Sequence, residues 1–136
     1  LVTWPYIICA APDYLDRHSP ITHPSQLHAH RWLHFLPVRT TLQHGGESYF
    51  LDVADSIACT HLAAVCHLTE SGFGLSLQVG GEVREKIAQG RLTVVLPEWT
   101  LPPVSLYLVT PYRVQSAKTE AAVRIFTESF AKEGDL

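Results

Sequence analysis

Methionine is absent from this chain of 136 residues, which begins at Leu1. Methionine makes up roughly 2% of ordinary sequences, so about three would be expected. A leucine start without methionine predicts a processed form or a fragment, with a function that belongs to a larger parent. Charge is also scarce. Asp, Glu, Lys and Arg together make up 17% of the residues, below the typical ~25%. No basic surplus exists. Ten Lys+Arg stand against thirteen Asp+Glu, a net charge of -3 with a pI near 6.2. Arg17, Arg31, Arg39, Arg84, Arg91, Arg113 and Arg124 are scattered along the chain. A duplex-binding domain usually carries a clustered basic face, so direct binding of this piece to nucleic acid is not expected.

Cysteine is limited to Cys9, Cys59 and Cys66, an odd number in apolar contexts. That usage suits buried thiols of a reducing cytoplasm better than a disulfide framework. No apolar run reaches the ~18 residues needed to span a bilayer. The opening LVTWPYIICAAP lacks the positive leader of a secretory signal. A cytoplasmic protein without membrane contact is therefore expected. Internal repeats and low-complexity linkers are missing too.

What is present is an alternation of short elements. The apolar run Tyr6–Ala10 reads as a buried strand. Pro12 and Asp13 open a short helix to about His18, since proline suits a first turn and an acid suits the positive helix end. A second short helix starts at Pro24. Residues 31–36 (RWLHFL) read as a strand. Gly45-Gly46 marks a hairpin turn joining residues 39–43 to 47–53, with Tyr49, Leu51 and Val53 on one face. After a short strand at residues 56–59, Thr60 opens a helix. Leu62, Val65, Cys66 and Thr69 fall at i, i+3, i+4 and i+7, and Gly72 stops it. Leu75–Val79 is a strand, Gly80-Gly81 a turn, residues 82–89 a helix stopped by Gly90, and residues 92–96 a strand. A proline-punctuated loop holds Trp99, residues 104–109 form the last strand, and Ser116 caps a helix to about Lys132 with Val123, Phe126 and Phe130 facing inward. Strands interleaved with helices define an α/β domain.

Five segments in this order carry a resemblance: CAAPDYLDRH at residues 9–18, HPSQLHAHRWL at 23–33, ESGFGLSLQ at 70–78, GRLTVVLPEWTLPPVSLYLVTP at 90–111, and SAKTEAAVRIFTESF at 116–130. Together they resemble the effector-binding domain of LysR-type transcriptional regulators over nearly the whole chain. The resemblance implies a fold like a type 2 periplasmic binding protein, with a mixed sheet flanked by helices in each of two lobes and ligand between the lobes. It implies that residues 1–10 hold the first crossover strand and residues 11–103 the second lobe. Residues 104–136 would be the return crossover strand and C-terminal helix of an incomplete first lobe. The DNA-binding helix-turn-helix, the linker helix and half of the first lobe would lie upstream. Contact with DNA would run only through that missing domain, and the assembly would be a homodimer or homotetramer. Thr60-His61 and Gln78-Val79 depart from the residue pairs common in the family, which bears on the effector.

The family places effector contacts at the junction that holds Thr60 and His61. A strand-to-helix junction offers free backbone N–H groups and a helix dipole to an anion, and hydroxyl and imidazole add hydrogen bonds. Ser56 and Cys59 are further candidates. The plain alternative makes Thr60 an N-cap only. Histidines 28, 30 and 34 are spaced i, i+2, i+6, which is not the i, i+4 pair of a helical metal site. No metal, cofactor or catalytic residue is assigned. His18, His23 and His44 are placed in exposed loops. Cys66 and His67 are adjacent on a helix and point about 100° apart, so they do not form a nucleophile and base. Gly72-Phe73-Gly74 follows a helix and lacks phosphate-loop spacing. Trp99 is assigned to capping the lobe. The leading function is an effector-sensing regulatory domain for a small anionic or aromatic metabolite. A free-standing solute-binding module is the alternative, and a metal- or cysteine-dependent enzyme comes third.

Overall fold

The computed structural model describes residues 2–109 and 116–134, and residues 110–115 of the expected return segment lie outside them. The chain divides into two compact units, Pro5–Pro102 and the pairing of Leu1–Trp4 with Pro103–Leu136.

The larger unit is built on a five-stranded mixed sheet of order β6-β3-β7-β2-β8. Its strands are β2 (Tyr6–Ala10), β3 (Trp32–His34), β6 (Ser56–Ala58), β7 (Leu75–Val79) and β8 (Thr93–Val95). β3 runs parallel to β6 and β7, and β2 runs antiparallel to β7 and β8. β2 is apolar on both faces because both are covered. Ile8 and Ala10 face the main core with Tyr14, Leu27, Trp32, Leu75 and Trp99. Cys9 faces a second cluster with Val83 and Leu92. Helices α2 (Leu62–Glu70) and α3 (Gly80–Ala88) contact β7. Helix α1 (Pro12–Asp16) and a 3-10 segment (Pro24–Ala29) contribute Tyr14 and Leu27 to the main core. The hairpin β4 (Arg39–His44) and β5 (Glu47–Asp52) adds Leu42 and Leu51, both fully buried. It is tied back where the Gln43 and Thr100 backbones exchange hydrogen bonds of 2.8 and 2.9 Å.

Several expectations hold. The α/β class, the hairpin and the stop of α2 at Gly72 (φ +81°) are as read. Tyr49, Leu51 and Val53 join one core cluster, and Trp99 caps it at 6% exposure. Others change. Gly80-Gly81 is not a turn, because α3 starts at Gly80 directly after β7. A Cβ at Gly80 would lie 3.1 Å from the Pro5 ring, so glycine lets the helix begin against that proline. The N-cap of α2 is His61 rather than Thr60. Leu62 is 60% exposed, so the buried stripe of α2 is Val65 and Thr69 with Cys66 half-buried. Gln78, an unusual residue for its position, is buried and donates to Ser76 Oγ at 2.8 Å, which meets Thr69 Oγ1 at 2.8 Å. That chain of polar contacts satisfies groups whose burial would otherwise be costly.

The smaller unit pairs β1 (Val2–Trp4), which sequence patterning missed, with β9 (Val104–Leu106) in antiparallel register. Helix α4 (Ala117–Gly134) contacts β1. Ser116 caps α4 by accepting from Thr119 N–H at 3.3 Å. Phe130 meets Trp4 edge-on at 6.0 Å. Phe126 does not turn fully inward: it is 49% exposed, and Ile125 is 62% exposed.

Gly74 is the tightest approach, since a Cβ there would lie 2.4 Å from the Arg31 carbonyl oxygen. Gly46 has nothing within 4 Å. Gly74→Ala is expected to lower unfolding stability by about 1–3 kcal/mol and Gly46→Ala by less than about 0.5 kcal/mol. Urea unfolding of the two variants checks the contrast.

Candidate functional site

The parallel strands give the sheet two chemically different ends. Beyond the carboxyl ends of β3 and β6, Cys59 N–H donates to the His34 carbonyl at 2.8 Å, and the chain turns through Thr60 and His61 into α2. Thr60 and His61 are exposed, and Cys59 is half-buried. His61 makes no side-chain capping bond. The first turn of α2 therefore presents backbone N–H groups without a side-chain cap. Nearby, His34 Nδ1 is buried without a partner among the described residues.

Ser56 lies at the opposite, amino end of the three-residue strand β6. Residues 56 and 59 are separated by about 10 Å of extended chain. The structure thus groups Thr60, His61 and Cys59 but separates Ser56 from them. Ser56 instead lines a cavity of 540 Å³ at the amino ends of β3, β6 and β7, with Tyr14, Arg17, His18, His28, His30 and Arg31 among its walls.

Tyr14 organises that end. Its hydroxyl pairs with His30 Nδ1 at 2.9 Å, and its carbonyl accepts from His18 Nδ1 at 2.7 Å. The His18 ring stacks on the Tyr14 ring at 4.0 Å. The histidines expected in exposed loops are therefore not simply solvated, and His44 ends strand β4. His23 bridges to Glu47 at 2.7 Å, and His44 Nδ1 donates to the Glu98 carbonyl at 3.0 Å. His28 pairs with the Tyr49 hydroxyl at 3.0 Å. No group of three or more metal-ligating side chains converges among the described residues.

Cys66 turns away from His67 as expected, and its actual partners lay outside sequence reasoning. Lys86 Nζ approaches its sulfur at 3.2 Å, and its thiol points to Glu70 Oε1 at 3.6 Å. Lys86 and Arg91 both pair with Glu70. Burial raises the Cys66 thiol above its ordinary range, and the Lys86 ammonium offsets only part of that. Cys9 is pushed up to about 12 by burial. Neither thiol is set up as a nucleophile.

The LysR substrate binding domain model matches residues 1–131. A probable HTH-type transcriptional regulator, SinR of Salmonella typhimurium, is 30% identical over 114 residues, covering 79% of this chain and 36% of that protein. The HTH-type transcriptional regulator PtxR of Pseudomonas aeruginosa is 26% identical over 132 residues, covering 93% of this chain and 42% of that protein. The full-length structure of the Vibrio cholerae virulence activator AphB superposes with a TM-score of 0.69 at 26% identity, over 74% of this chain and 36% of that one. The chain therefore belongs to the LysR substrate-binding domain family, with its periplasmic-binding-protein type 2-like fold. It spans about two fifths of the length of these curated relatives.

His30 has a pKa lowered by burial and by the nearby His18. The unfolded chain therefore binds a proton that the folded chain resists, so stability rises with pH in that window. Stability is expected to decline as pH falls below about 6.5, the ordinary histidine value, until the folded-state pKa is passed. Urea midpoints between pH 8 and about pH 5 check this, and His30→Gln should flatten the decline.

Proposed function

We propose that this chain is the effector-sensing part of a LysR-type transcription factor. A small anionic or aromatic metabolite, seated between two lobes, alters DNA binding by a helix-turn-helix domain elsewhere in the parent. The observation that carries the reading is the family match over residues 1–131. The uncapped start of α2 supports the placement of the effector at Thr60 and His61, with Cys59 beside them. Free N–H groups and the helix dipole favour an anion there, and His61 adds a donor. Ser56, at the amino end of β6, stands apart from these three residues. The division of the chain near Pro5 and Pro102 supports residues 11–103 as part of one lobe, but it also places β2 (Tyr6–Ala10), expected as the first crossing, in that same unit. A sensor works only if effector binds one arrangement of lobes and subunits better than another.

The helix-turn-helix regulators among the relatives favour this over a free-standing solute-binding module. No enzymatic step, metal or cofactor is assigned. The cytoplasm is the compartment that fits a DNA-binding parent, and no helix among the described residues is long and apolar enough to cross a membrane.

Thermal-shift screening of the intact effector domain is expected to find stabilising ligands among anionic and aromatic metabolites. His61→Ala should weaken the best of them by about tenfold to a hundredfold, the worth of one charge-assisted hydrogen bond. Thr60→Ala should weaken it less. A parent reading frame without a helix-turn-helix segment would refute the regulatory reading.

The exposed Ile125 and Phe126 on α4 also favour self-association as a homodimer or homotetramer. Sizing chromatography should show a species larger than one chain at high concentration, and a monomer throughout would contradict it.

A further inference from the structure

The cavity at the amino ends of β3, β6 and β7 lies at the other end of the sheet from Thr60 and His61, entirely within the larger unit. Its 540 Å³ falls within the roughly 300–1,000 Å³ of small-molecule sites. Two guanidiniums, Arg17 and Arg31, line it against one carboxylate, Asp55, beside the imidazoles of His18, His28 and His30. This local cationic excess occurs in a chain whose net charge is -3.

The donors are held in place and still available. Arg17 is anchored by its Nε to the Asp13 carbonyl at 3.2 Å and by one terminal nitrogen to the Gly72 carbonyl at 3.0 Å. Tyr14 occupies one ring nitrogen each of His18 and His30, and among the described residues their Nε2 atoms have no protein partner. Arg31 and Asp55 line the same cavity, yet the ion pairs among the described residues include neither. Among the described residues no carboxylate pairs with Arg31. Two large apolar side chains, Ile57 at 43% and Phe73 at 48% exposure, stand in the same wall. Exposed apolar surface beside unpaired cationic donors suits an amphipathic anion better than bare phosphate or a purely apolar molecule.

We propose that this cavity is a second small-molecule site, for a monocarboxylate carrying an aromatic or branched apolar group. Its carboxylate lies toward Arg31 and Arg17, with the Ser56 hydroxyl alongside. Its apolar group lies against Phe73 and Ile57. Asp55 disfavours a second negative charge. The site does not depend on the reading of Thr60 and His61.

Calorimetric titration of the chain with sodium benzoate tests the proposal, with benzamide and inorganic phosphate as comparison probes. Benzoate should bind saturably and at least about tenfold more tightly than either, as expected if a charge-assisted hydrogen bond and an apolar contact both contribute. Arg31→Gln, on an exposed side chain, should weaken benzoate about tenfold or more with an unchanged unfolding midpoint. Phe73→Ser should weaken benzoate and leave phosphate unchanged. In the His61→Ala background, which removes the effector contact proposed above, benzoate should still bind saturably and Arg31→Gln should still weaken it, which separates the two sites. Absence of saturable benzoate binding, equal binding of benzamide or phosphate, or loss on His61→Ala with none on Arg31→Gln would each overturn the proposal.

Discussion

The antiparallel register of β2 against β7, with Tyr6 opposite Val79 and Cys9 opposite Ser76, sets the geometry of the whole larger unit. Because β2 runs opposite to β3, β6 and β7, its carboxyl end arrives where those three begin. It delivers α1, and with it Tyr14 and Arg17, to the amino ends of the parallel strands. The start of α2 is sent to the other end by β6. One register therefore makes one end of the sheet an imidazole and guanidinium cavity and the other a helix N-terminus.

The two faces of the sheet are held by different physics. The face with Ile8, Trp32, Leu75 and Trp99 is an apolar core whose burial follows the hydrophobic effect. The face under α2 and α3 is mixed. Thr69, Ser76 and Gln78 form a buried chain of hydrogen bonds, and Glu70 gathers Lys86 and Arg91 between helices α2 and α3. Such contacts add little net energy compared with apolar burial, but leaving one unpartnered is costly. They fix how α2 lies on the sheet, and thereby where His61 stands.

Much of the fold was readable because its signals are local. Glycine at Gly72 and the Gly45-Gly46 turn mark ends of elements, and period-two patterning placed Tyr49, Leu51 and Val53 on one face. The failures share a cause. Gly80-Gly81 looks like a turn locally, and only the neighbouring Pro5 shows that the pair is a helix start under steric pressure. Ser56 and Thr60 were read at the two ends of one strand, and only the cavity at its amino end shows that Ser56 faces a different set of side chains. Cys66 showed only His67 as a chain neighbour, whereas Lys86 lies 20 positions away.

Charge shows most clearly what sequence order conceals. A scattered set of arginines with a net acidic total gives no sign of a cationic site. Yet Arg17 and Arg31 come from either side of the 3-10 segment and converge on one cavity with three imidazoles. That convergence does not revive duplex binding. Phosphate-backbone recognition needs positive charge spread over a face that can track the strands. Here the cations line a concave space and are opposed by Asp55. Burial, and then the His18 ring 5.4 Å away, disfavour protonation of His30. A single negative group would be met by Arg17 and Arg31, whereas a second would meet the Asp55 carboxylate, so the electrostatics suit a compact monoanion.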